Sequence, residues 1–179
     1  MPFTPLHMGP GMAVKVMLGR RFSLVAFGVS QILIDIEPLV RIIRGDALLH
    51  GPTHTYLGAI PIAILAMPLA HWLYPWLARF SNHQLSAHRL DWLRVAPKAG
   101  WSAIAAGCLV GTLSHVLLDS IMHSDMHPLA PFADGNALLR ALSLGALHLG
   151  CLVSGIIGVL AWVVWRFLNR HRRASRQHD

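Results

Sequence analysis

Residues 141–165 read ALSLGALHLGCLVSGIIGVLAWVVW, a run without a single Asp, Glu, Lys or Arg. A helix needs about 20 such residues to cross the hydrocarbon core of a bilayer. Two more runs of this kind lie upstream. Residues 99–118 are uncharged and carry His115 near their end. Residues 55–78 are also uncharged and are interrupted by Pro61, Pro68 and Pro75, which a membrane span tolerates when neighbouring helices or waters satisfy the freed carbonyls. The whole composition agrees with three spans. The chain has 179 residues, 54% apolar and 13% charged, with a mean hydropathy of +0.51, against roughly 25% charged in a soluble domain. A disordered chain is excluded, because disorder needs low hydrophobicity and high charge. A soluble globule of this length could not hide so much apolar surface in one core. Two cysteines, Cys108 and Cys151, exclude a disulfide framework and the four-thiolate zinc folds.

The N-terminal part is apolar in two shorter pieces, residues 1–14 and 22–34. As helices they reach about 20 Å at 1.5 Å per residue, too short for an easy crossing. Leu18-Gly-Arg-Arg21 lies between them, with glycine where a turn is wanted. Two antiparallel helices are predicted, forming a hairpin that dips into the membrane or barely spans it. Thr4 suits a helix cap and Pro5 a first turn. No basic residue precedes the first apolar run, so a cleavable signal peptide is not expected. The fold class is therefore an all-α polytopic membrane bundle of three spans plus an N-terminal hairpin. Residues 1–168 form the membrane-embedded domain, and 169–179 a basic cytoplasmic tail.

The net charge of +7 lies between apolar runs rather than along one polar face. It reads as membrane topology and not as a nucleic-acid surface. With the Arg-rich C-terminus cytoplasmic, twelve of the 15 Lys and Arg residues fall on the inner side, as the positive-inside bias requires. The Arg79–Lys98 loop and the hairpin tip are inner. Segments 41–54 and 122–140 are outer.

On that topology, seven imidazole and carboxylate side chains fall on the outer side at one depth. His7 starts the first hairpin helix. Asp35 and Glu37 end the second, in Asp35-Ile-Glu-Pro38. His50 and His54 start the first full span, and His115 and Asp119 lie near the end of the second. Ionisable groups at membrane helices are costly, so their gathering marks a metal or proton-relay site. His115 and Asp119 are four apart and share a helix face. Pro52 is expected to open the following helix, leaving His50 on the loop and His54 in the first turn. Pro38 should push Glu37 toward extended geometry. His71 and His148 lie within spans, where helix-to-helix hydrogen bonds are the ordinary use. His123 and His127 follow on the proper side and stay open as ligands. Asp125 and Asp134 read as loop residues.

These motifs resemble the bacterial inner-membrane metal-dependent hydrolases of the YdjM/YbcI type, also described as LexA-regulated membrane proteins. That family has an early histidine, a Pro-Asp-x-Asp element, a His-Arg-x-x-Thr-His-Ser element and a Ser-His-x-x-x-Asp element. The matches here are His7, Asp35-Ile-Glu37, His50-Gly-Pro-Thr-His54-Thr55 and Ser114-His115-Val-Leu-Leu-Asp119, in order across about residues 1–130. Ile34 stands where the family has proline, Glu37 where it has the second aspartate, and Gly51 where it has arginine.

The resemblance implies a membrane-bound metal-dependent hydrolase in the bacterial inner membrane, with its site on the periplasmic side. His7, Asp35, His50, His54, His115 and Asp119 are then the expected ligands. Glu37 is the expected general base. The mixed donor set suits zinc, and also manganese or iron, as one or two ions. The substrate stays open: a site at the membrane boundary suits a lipid, a lipid-linked phosphate or a membrane peptide, and the analogy with dinuclear sites favours a lipid or lipid-linked phosphoester. The alternatives are an ion- or proton-coupled transporter and a non-catalytic membrane protein with a structural metal. A transporter predicts polar residues strung through the membrane depth and related halves, whereas here they form one layer and no internal repeat is found.

Overall fold

The computed structural model describes residues 5–175. Thr4, the expected cap, lies outside them. Every regular element among the described residues is helical. In chain order these are α1 (Met8–Leu18), α2 (Leu24–Ile34), α3 (Ile36–Arg44), α4 (Tyr56–Ala87), α5 (Trp101–Met122) and α6 (Leu144–Ser175). Three of them, α4, α5 and α6, are long and apolar enough to cross a membrane.

The N-terminal turn is built as its residues demand. Gly19 closes α1 at φ 54°, a left-handed conformation that a side chain would strain. The Lys15 ammonium donates to the Gly19 and Phe22 carbonyls at 2.8 and 2.6 Å. Ser23 then caps α2, its hydroxyl accepting from Ala26 N at 3.2 Å. The two arms part company above this turn. α1 lies on α6, and α2 lies on α5 and α4.

Small residues decide these close approaches, as they do between helices in lipid. A Cβ at Gly155 would sit 3.0 Å from Gly9 Cα, so α1 and α6 touch at backbone distance. Gly107 and Gly111 do the same for α5 against Ser23, Ala26 and Phe27 of the α2 region. Ala59, Ala63, Ala66 and Ala70 make a fully buried stripe on α4. Three of them join Ala26, Ile104 and Cys108 in the core between α2, α4 and α5. The outward faces of α4 and α6 are apolar, with Trp72, Trp76, Phe80, Ile157 and Leu160 exposed. Apolar faces on spanning-length helices fit contact with membrane lipid.

Two expectations change. Glu37 is helical, not extended: α3 begins at Ile36, and Leu39 N donates to Asp35 O at 3.1 Å. Pro38 sits in the first turn, where its missing N–H leaves no bond unmade. Pro52 opens a short 3-10 turn, Pro52–His54, and α4 starts only after Thr55, whose hydroxyl accepts from Gly58 N at 2.9 Å. α6 runs on past residue 169 to Ser175 as a continuous helix.

Candidate metal centre

One end of the bundle collects the junction of α2 and α3, the start of α4 and the end of α5. Asp35 sits at the junction, His54 in the turn before α4, and His115 and Asp119 one helical turn apart on the buried face of α5. Each of the four is at most 4% exposed. Burying two carboxylates and two imidazoles demands compensating partners, and they have chiefly one another. His115 Nε2 lies 3.2 Å from Asp35 Oδ1 and 3.2 Å from Asp119 Oδ2. His54 Nε2 lies 3.9 Å from Asp35 Oδ1 and 3.8 Å from Asp119 Oδ2. Both Nε2 atoms are buried without an aligned hydrogen-bond partner.

Those distances bear on whether an ion fits. Donors bound to one zinc at 2.0–2.1 Å lie roughly 3.3 Å from one another in a tetrahedral site. The His115 separations match that edge, and the His54 separations are only slightly wider. One donor atom from each of Asp35, His54, His115 and Asp119 falls within 4.8 Å of all the others. The four residues fit a divalent cation in geometry and in donor chemistry.

The far sides of the rings are also held. His115 Nδ1 is 2.8 Å from Gln31 Oε1, one turn before Asp35 on α2. The Thr53 hydroxyl donates to Glu37 Oε2 and sits 3.1 Å from His54 Nδ1, which it faces with a lone pair. In both cases Nδ1 is placed to donate to an oxygen, which leaves Nε2 as the nitrogen available to an ion.

His50 joins the group from the loop before α4. Its Nε2 is 3.8 Å from Asp119 Oδ2, and its ring centroid is 4.9 Å from that of His54. On its other side Asp125 Oδ1 meets His50 Nδ1 at 2.8 Å. Asp125 Oδ2 accepts from Leu49 N at 2.8 Å and His50 N at 3.1 Å. Burial alone would raise the Asp125 carboxyl, but these hydrogen bonds outweigh it and hold it down to about 2. His7 approaches Asp119 from the α1 side, Nδ1 to Oδ1 3.8 Å, with both ring nitrogens buried and unbonded. Desolvation pushes the His7 imidazole down to about 4 against the pull of Asp119, and burial also lowers His54 against the pull of Glu37. Both therefore keep a lone pair at neutral pH.

Glu37 is placed differently from the other six. Both its oxygens are in use: Oε2 accepts from Thr53 N at 3.0 Å and from the Thr53 hydroxyl, and Oε1 takes the Arg41 guanidinium at 3.0 Å. It stands on the Nδ1 side of His54, at 3.9 Å, away from the other carboxylates. Burial tends to raise its carboxyl, but the bonds from His54, Thr53 and Arg41 prevail and hold it at about 2. A carboxylate so held is a weak base. Gly51 makes this arrangement possible, since a Cβ there would collide with Glu37 and Arg41.

Of His71, His123 and His127, only His123 stays near the group. His123 caps the end of α5 and lays its ring 4.3 Å from that of His50. His127 accepts from Gly135 N at 3.3 Å within the loop. His71 stacks on Trp101 at 4.2 Å rather than making a helix-to-helix hydrogen bond. Sequence reasoning passed over Gln31 and Asp125. Gln31 could have been found as the polar residue four before Asp35 in a helix whose other polar residue is Ser30. Asp125 carries no such signal, because its partner lies 75 residues away.

No family model, no curated protein and no solved structure matches this chain.

Proposed function

We propose that this chain is a membrane-embedded metal-dependent hydrolase of the bacterial inner membrane, with its C-terminus cytoplasmic and its metal centre near the periplasmic surface. The observation that carries the reading is His115 Nε2 at 3.2 Å from two carboxylates on different helices, buried and facing a second imidazole. Asp35, His54, His115 and Asp119 are the ligands in this reading, with His50 and His7 at their edge. Zinc suits the mixed nitrogen and oxygen donors. Such an ion supplies Lewis-acid polarisation of the scissile group and acidifies a water toward a pKa of ~7.

The side chains supply orientation and exclusion of water. Glu37 works through Thr53 and His54, fixing the ring that it backs, rather than as the general base. The substrate class is a lipid or lipid-linked phosphoester. A groove of about 640 Å³ beside Glu37 and Thr53 supports the lipid part of this choice, with Leu33, Ile62, Leu65 and Leu69 on its walls and Arg41 and Arg44 beside Glu37 and Asp46 at its rim. Apolar walls suit an acyl chain. The four ordered motifs shared with the YdjM/YbcI-type proteins support the same reading.

The test is elemental analysis of protein purified without a histidine tag, followed by phosphate release from lipid phosphoesters. Bound zinc near stoichiometry is expected, and His54→Ala or His115→Ala should abolish it while leaving a monodisperse protein in detergent. Full metal occupancy in either variant would refute the ligand set.

A further inference from the structure

Asp125 belongs to no part of the proposed ligand set, yet it makes three hydrogen bonds to one short stretch of loop. Its Oδ2 holds Leu49 N and His50 N, and its Oδ1 holds His50 Nδ1. An ionised carboxylate only accepts, so the imidazole must carry its proton on Nδ1. The lone pair is then left on Nε2, which points at Asp119 Oδ2 from 3.8 Å. The separation of 2.8 Å between Asp125 and His50 is that of a hydrogen bond, shorter than the roughly 3.3 Å between two donors on one zinc. His50 thus has one nitrogen tied and one presented, as His54 and His115 do.

We infer that Asp125 is the positioning residue that makes His50 a further ligand of the ion held by Asp35, His54, His115 and Asp119. This rests on the metal centre proposed above. It assigns Asp125 and His123 no ion of their own, although the three side chains of His50, His123 and Asp125 lie close enough to hold one.

Asparagine at 125 separates a tautomer-fixing role from a purely structural one. Its carbonyl oxygen can still accept the two backbone N–H groups, so the loop stays latched. Its amide NH₂ then faces His50 Nδ1 and donates, which moves the imidazole proton to Nε2 and removes the lone pair from the ion. The experiment is zinc titration of the purified, untagged full chain, with the stoichiometry read beside the affinity. Nitrogen NMR of labelled histidine in the metal-free protein reports the tautomer.

Asp125→Asn should bind the same number of zinc ions as the unaltered protein, about 10–100-fold more weakly. His50→Ala should show the same loss, and the double variant no more than either single one. The His50 proton should move from Nδ1 to Nε2 in Asp125→Asn. Three results would overturn the inference while leaving the metal centre standing: unchanged affinity in Asp125→Asn, an additive loss in the double variant, or a fall from two bound ions to one. The last would make Asp125 a ligand of a second ion. An unaltered protein that binds no zinc would remove the centre itself, and this role with it.

Discussion

At the scale of single residues, the centre depends on side chains that touch no ion. Gln31 shows this most directly, because its Oε1 is the partner of His115 Nδ1 inside the bundle. Gln31→Leu keeps the volume roughly and removes the acceptor. Zinc affinity should fall about 10–100-fold, and the metal-free protein should lose about 1–3 kcal/mol from the buried unpaired N–H. Calorimetric titration and thermal unfolding in detergent check the two parts separately. If both are unchanged, His115 is oriented by something else. The ligand-type residues were legible in the sequence because histidine and aspartate are rare and costly beside apolar helices. Their supporting partners were less so. Glutamine is no ligand, and Asp125 meets His50 only through the folded chain. Glu37 was legible as a carboxylate but not in its surroundings, since Thr53, Arg41 and the bare backbone of Gly51 that Glu37 and Arg41 lie against come together only in three dimensions.

At the scale of elements, the position of Asp35 and Gln31 is set by how closely α2 can lie on α5. A Cβ at Gly107 would fall 2.9 Å from Ala26 Cβ and nearer still to the Ser23 carbonyl. Gly107→Val should therefore push α2 away, costing about 1–3 kcal/mol. It should also weaken zinc binding about tenfold or more, although residue 107 is two turns from His115. Gly145→Ala is the control, since a Cβ there meets nothing within 4 Å, and it should bind zinc normally. Normal zinc binding in Gly107→Val would show that the α2–α5 contact does not set the site. The three long helices were legible from hydropathy, and the N-terminal turn from Gly19, while the Ser23 cap was not foreseen. What the short arms pack against was not legible, because an apolar face does not name its partner. α3 escaped although its nine residues are strongly amphipathic, because Pro38 reads as a break where it is in fact a first-turn residue.

At the scale of the whole molecule, the orientation rests on the distribution of arginine and lysine. Ala137, in the loop after α5, and Ala87, at the far end of α4, are both exposed, and the native Cys108 and Cys151 are buried. A cysteine at 137 should react with an impermeant thiol reagent added to intact cells, and one at 87 only after the membrane is opened. The reverse pattern would invert the proposed topology. The donor set has a consequence of its own at this scale. Asp35 and Asp119 bring two negative charges to a low-dielectric boundary, and imidazoles that keep their lone pairs add none. A dication cancels that pair and leaves an electroneutral plug between the helices. A monovalent ion would leave one charge uncancelled, and a trivalent ion would leave one in excess, each at a solvation cost of several kcal/mol. For the proposed centre, the count of carboxylates would thus select valence before any question of ionic radius arises.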